Sequence, residues 1–71
     1  MSAWDAEAAA KTAEQAYGYV AGTLPLGADY SPLDRHTETA YEAEMAGDWL
    51  TYVEALRELC RTARAEARRA A

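Results

Sequence analysis

Four arginines are the residues of this chain whose type and spacing best fit a binding function. They recur every three or four residues in the C-terminal third of the sequence: Arg57, Arg61, Arg64 and Arg68. On a helix this spacing produces one row of guanidinium groups. Such a row can contact a phosphate backbone or the carboxylates of an acidic partner.

An acidic row precedes the arginine row. Its members are spaced by four residues: Asp34, Glu38 and Glu42. If the chain reverses direction between the two rows, Glu38 comes level with Arg57 and Asp34 with Arg61. We therefore expect ion pairs across a helical hairpin, each worth about 0–1 kcal/mol at an exposed position.

The remaining reactive side chains do not form a catalytic constellation. His36 is the only histidine, and its neighbours three and four residues away supply no carboxylate or second metal ligand. Cys60 lies in an apolar stripe and is expected to be a small buried residue. Glu44 falls on an apolar arc, where its carboxylate is expected to reach water or an arginine. We expect no enzyme activity, no cofactor and no metal site.

The helices must position these side chains, and the signals for their ends are strong. Ser2 with Asp5 resembles a capping box, Ser31-Pro32 is typical of a helix start, and Gly47-Asp48 can end one helix and begin another. The pattern predicts three helices at about residues 3–23, 32–46 and 49–69. The fold class is all-α, a small up-down-up three-helix bundle forming one domain over residues 1–71.

Each predicted helix has one apolar arc. On the first it is mostly alanine: Ala6, Ala9, Ala10, Ala13, Ala16, Tyr17, Val20 and Leu24. On the second it comprises Leu33, Thr37, Ala40, Tyr41 and Met45. On the third it comprises Trp49, Tyr52, Val53, Leu56, Leu59, Cys60, Ala63 and Ala67. The segment 40–56, with Gly47-Asp48-Trp49 at its turn, is similar to half of a tetratricopeptide hairpin, which implies the same helical-hairpin geometry.

Size and composition suggest that this core needs support. A chain of 71 residues with eighteen alanines buries only about 60% of its unfolded surface, so a monomer is marginally stable. The single cysteine excludes an internal disulfide and suggests a reducing compartment. No run approaches the ~20 apolar residues of a membrane span. We expect a cytoplasmic protein, without membrane association, whose fold is completed by homodimerisation.

Charge is divided unevenly along the chain. Residues 1–48 carry nine acids and two bases, whereas residues 49–71 carry three acids and five arginines. The total of −5 argues against general nucleic-acid binding, which depends on lysine and arginine. The basic C-terminal segment nevertheless keeps a nucleic-acid-associated regulator as an alternative.

The leading hypothesis is a small helical interaction or regulatory module that binds another protein. Large aromatic side chains on the back of the first helix indicate where the partner binds, as does the C-terminal part of the arginine row, in which Arg64 and Arg68 have no acid opposite them. The expected partner-binding residues are Trp4, Tyr19, Arg61, Arg64 and Arg68. A third hypothesis is a helical dimer that encloses a small ligand near Tyr41, Glu44 and Trp49.

Overall fold

The computed structural model describes residues 5–24 and 31–70, and these are helical almost throughout. The three helices are α1 (Ala6–Gly22), α2 (Ser31–Ala46) and α3 (Trp49–Ala70). No strand occurs in these two segments. The all-α fold predicted from the sequence is therefore confirmed.

Helix α1 begins three residues later than predicted. Asp5 has extended backbone angles (φ −83°, ψ 92°), and its side chain accepts a hydrogen bond from the backbone N–H of Ala8 at 3.0 Å. A carboxylate in this position satisfies one of the free N–H groups at a helix start. Asp5 is therefore the N-cap, and the predicted start at Ala3 is wrong. Ser2, the predicted cap, lies outside the described residues.

Helix α2 ends in a Schellman motif, which the sequence predicted from Gly47. Gly47 has a φ of +72°, and its N–H donates to the Glu44 carbonyl at 3.1 Å. The N–H of Asp48 donates to the Ala43 carbonyl at 2.9 Å. These two bonds satisfy carbonyls that the end of a helix otherwise leaves free.

Asp48 then caps α3. Its carboxylate accepts from the backbone N–H of Thr51 at 3.3 Å and from the Thr51 hydroxyl at 2.7 Å. One helix therefore ends and the next begins within two residues. Because α2 and α3 also pack against each other, the pair forms the expected helical hairpin.

Helix α3 is the central element of the fold. It packs against both α1 and α2, whereas no Cα atom of α1 lies within 8 Å of one in α2. The buried residues of α3 are Tyr52, Val53, Ala55, Leu56, Leu59, Cys60, Ala63 and Glu66. At 100° per residue they occupy an arc of about 160°. This arc is wide because two separate helices cover it.

The predicted inward arc of α2 is partly wrong. Leu33 and Ala40 are buried as expected, but the third buried position is Ala43, while Tyr41 and Met45 are 62% and 70% exposed. Small side chains let two helices approach closely. Two alanines therefore face α3 beside Leu33, and Tyr41 and Met45 remain outside. The predicted apolar face of α1 is largely confirmed, although Ala16 is exposed.

Candidate functional site: an arginine-lined groove between α1 and α3

An open groove lies between α1 and α3. Its volume is about 670 Å³, within the range of about 300–1,000 Å³ typical of ligand sites. On α1 the groove is lined by Ala8, Ala9, Thr12, Ala13 and Ala16. On α3 it is lined by Val53, Leu56, Arg57, Cys60, Arg61, Arg64 and Arg68. We call this surface the arginine groove.

The floor of the arginine groove is apolar and closely packed. Val53, Leu56 and Cys60 are all buried, with 7% or less of their surface exposed. Alanines of α1 form the facing wall and leave room above this floor because they carry only a methyl group. Cys60 is buried, as the sequence predicted, and is a free thiol.

All four arginines predicted to form a row lie along one edge of this groove. Arg61 pairs with Glu58 of its own helix at 2.7 Å. The pairs expected between Glu38 and Arg57 and between Asp34 and Arg61 are not formed, since no ion pair within the described segments joins α2 to α3. The expectation of ion pairs across the hairpin is wrong.

The rotation of α3 about its own axis explains why these ion pairs do not form. At 100° per residue, the four arginines lie within about 60° of one another and next to Val53 and Cys60, which line the groove beside α1. The opposite side of α3 carries buried Ala55 and Leu59. The arginine row therefore faces α1 and solvent rather than α2. This placement leaves the guanidinium groups available to a bound molecule.

A buried tyrosine links the two helices that form the groove. The Tyr52 hydroxyl donates a hydrogen bond to a carboxylate oxygen of Glu14 at 2.7 Å. Burial, this hydrogen bond and the negative charges of Glu14 and Glu44 raise the pKa of Tyr52 to about 12. The ring of Trp49 packs edge-on against Tyr52, with 5.6 Å between the ring centroids. The link holds α1 against the N-terminal part of α3.

Of the predicted partner-binding residues, the three arginines line the groove, whereas Tyr19 lies outside its lining. Tyr19 is 78% exposed. It follows Ala16 by three residues, so it lies on the same side of α1, one turn beyond the groove wall. Arg64 lines the groove itself, so the two predicted positions lie at different distances from it. Trp4 lies outside the described residues.

The remaining polar candidates are not grouped into a site. Among the residues that the structure describes, no cluster of three or more histidine, cysteine or acidic side chains is placed to hold a metal ion. Glu44 is exposed, as its position at a bundle edge predicted. The buried acid is instead Glu66, which pairs with Arg69 at 3.3 Å. The burial of Glu66 was not predicted from the sequence.

Comparison with protein-family models, curated proteins and solved structures finds no match to this chain. Within the described residues, no helix is sufficiently long and apolar to cross a membrane.

Proposed function

We propose that this protein is a helical interaction module whose arginine groove binds an amphipathic helix with an acidic edge. The observation that carries the proposal is the combination of an apolar floor with arginines along one side. Helix-in-groove recognition uses this arrangement, because apolar side chains fill the groove while charged residues at its edge set orientation.

The arginines are well suited to an acidic partner. Arg57, Arg64 and Arg68 have no salt bridge among the described residues, so no internal pair must be broken when they bind. A guanidinium group can form two parallel hydrogen bonds with one carboxylate. Tyr19 extends the contact beyond the groove and supplies the aromatic anchor that interfaces often use.

A synthetic helical probe tests this proposal directly. The probe is a labelled peptide of about four helical turns, with leucine at three- and four-residue spacing and glutamate along both edges. Fluorescence anisotropy should show binding that weakens as salt increases. A control peptide with lysine at every glutamate position should bind at least ten-fold more weakly.

Matched variants locate the peptide on the protein. Arg64→Glu should weaken binding about ten-fold or more because the carboxylates then repel each other. Lys11→Glu makes the same change of charge on α1, outside the groove, and should leave binding unchanged. Tyr19→Ala should also weaken binding. If the glutamate peptide does not bind, or if Arg64→Glu and Lys11→Glu have equal effects, the proposal is wrong.

The alternative of a nucleic-acid-associated regulator has weaker support. The same arginines could contact phosphates, but they border a floor of valine, leucine and cysteine, which has no chemical match in a phosphate backbone. The net charge of −5 also opposes such binding. This alternative would replace the proposal if duplex DNA or RNA bound with a steep salt dependence and displaced the glutamate peptide.

The proposed ligand site near Tyr41, Glu44 and Trp49 has less support than the groove. In the single chain all three residues are exposed, so a ligand there would need a second subunit to cover it.

A further inference from the structure

The chain itself carries a surface complementary to the arginine groove. At 100° per residue, three carboxylates and two large side chains are among the exposed groups of α2 that fall within an arc of about 100°. They are Asp34, Glu38, Tyr41, Glu42 and Met45. This arc is centred on the side of α2 opposite buried Leu33, Ala40 and Ala43. We call it the acidic face.

The acidic face has the properties of the helix that the groove is proposed to bind. Tyr41 and Met45 are 62% and 70% exposed and lie beside the carboxylates, so the face combines apolar and acidic groups. No salt bridge within the described residues involves Asp34, Glu38 or Glu42. The only arginine or lysine of α2, Arg35, lies just beyond the edge of the arc.

The two surfaces also agree in length. The acidic face extends over twelve residues from Asp34 to Met45, and the arginine row over twelve from Arg57 to Arg68, so each spans eleven helical steps. At 1.5 Å per residue, each is about 16 Å long. Among the described residues, the exposed Arg61–Glu58 pair is the one salt bridge that involves either charged row, so little competes for the contact.

The contact cannot form within one chain. Helix α2 packs on α3 through Leu33, Ala40 and Ala43, so the acidic face points away from α3. The groove lies between α1 and α3, and α1 does not approach α2. Only a second copy can bring an acidic face into the groove.

We infer that the arginine groove binds α2 of a second copy of this chain, in a head-to-tail contact. This inference rests on the proposed function, because it names the acidic helix that the groove accepts. The two contacting surfaces are different parts of the chain, so copies joined by single contacts form a ring or an open chain, and two copies that exchange both contacts form a two-fold dimer. Two grooves facing each other across a two-fold axis would instead bring arginines together.

Charge exchange between two variants tests the inference. Wild-type protein should self-associate in analytical ultracentrifugation as its concentration rises toward the millimolar range. Glu38→Lys and Arg64→Glu should each weaken self-association at least ten-fold, because each places like charges at the interface. An equal mixture of the two variants should associate again, since the intact groove of one accepts the intact acidic face of the other.

Two control variants carry the same charge changes at other sites. Glu7→Lys matches Glu38→Lys, and Lys11→Glu matches Arg64→Glu; both replaced residues form an exposed pair with each other at 3.9 Å on α1. Each control should associate as the wild type does. Circular dichroism of all four variants should show the same helical content, which excludes unfolding as the cause of any loss.

The outcomes separate this inference from the proposed function. If the chain is monomeric throughout while the glutamate peptide binds, the inference is wrong and the proposed function stands. If neither the peptide nor a second copy binds, both are wrong. Self-association that strengthens with salt, or that all variants retain, would also overturn the inference, because it would not depend on the arginines.

Discussion

Tyr52 is the residue whose chemistry depends most on tertiary structure. Its position in the apolar stripe of α3 was predicted, but its hydrogen bond to Glu14 joins residues 38 positions apart. No local pattern identifies a partner at such a distance. The bond has a measurable consequence, because the pKa of Tyr52 rises to about 12 from an ordinary value of 10.0.

The raised pKa predicts a loss of stability in alkali. Between about pH 10 and 12 the folded protein keeps a proton on Tyr52 that the unfolded chain releases, so the free energy of unfolding falls as pH rises through this range. Below pH 10 the contribution is fully present. Chemical denaturation at several alkaline pH values should show this decline, and Tyr52→Phe should reduce its slope.

Tyr52→Phe has a second expected effect at neutral pH. The variant loses the hydrogen bond to Glu14, which should reduce the free energy of unfolding by about 1 kcal/mol. Glu14 itself is exposed, so water can replace the lost donor. A slope in alkali identical to that of the wild type would show that another group is responsible for the pH dependence.

At the scale of elements, two glycines have opposite roles. Gly47 has a φ of +72°, a conformation that L-residues adopt with strain, and a Cβ there would meet nothing within 4 Å. Gly47→Ala should therefore reduce the free energy of unfolding by about 1–2 kcal/mol through backbone strain alone.

Gly18 is the matched comparison. It lies inside α1, and a Cβ there also meets nothing within 4 Å. Gly18→Ala should stabilise the protein by about 0.5–1 kcal/mol because alanine favours a helix more than glycine does. Urea denaturation measures both variants. A gain from Gly47→Ala would contradict the role assigned to this glycine in the Schellman motif.

The helix ends and the orientation of the helices differ in how far they could be predicted. Gly47 and Asp48 interact with residues at most five positions away, so their roles could be read from local chemistry. The rotation of α2 about its axis could not be, because it depends on how closely α3 approaches. The sequence-based prediction placed Tyr41 rather than Ala43 on the inward arc because Tyr41 is the larger apolar side chain. In the structure, small residues occupy most of that arc.

At the scale of the whole molecule, stability depends on one central helix. Leu59 is the largest fully buried side chain of the described residues, with 2% of its surface exposed. Leu59→Ala should reduce the free energy of unfolding by about 2–5 kcal/mol. A domain of this size has little stability in reserve, so the variant should be largely unfolded in circular dichroism at room temperature.

Leu50→Ala provides the control for this prediction. Leu50 lies on the same helix but is 59% exposed, so the same substitution should change the free energy of unfolding by no more than about 0.5 kcal/mol. Equal effects at both positions would mean that α3 does not form the core as described.

The sequence alone determined the three helices, the turn that joins α2 to α3, and the arginine row. Each of these depends on contacts within a few residues of the chain. Tertiary structure decided what the arginines face. The same periodic spacing is compatible with any rotation of α3 about its axis. The rotation is fixed because α1 and α2 pack on different sides of α3. That packing turned the arginines away from the acids of α2, and left both charged rows exposed on separate surfaces.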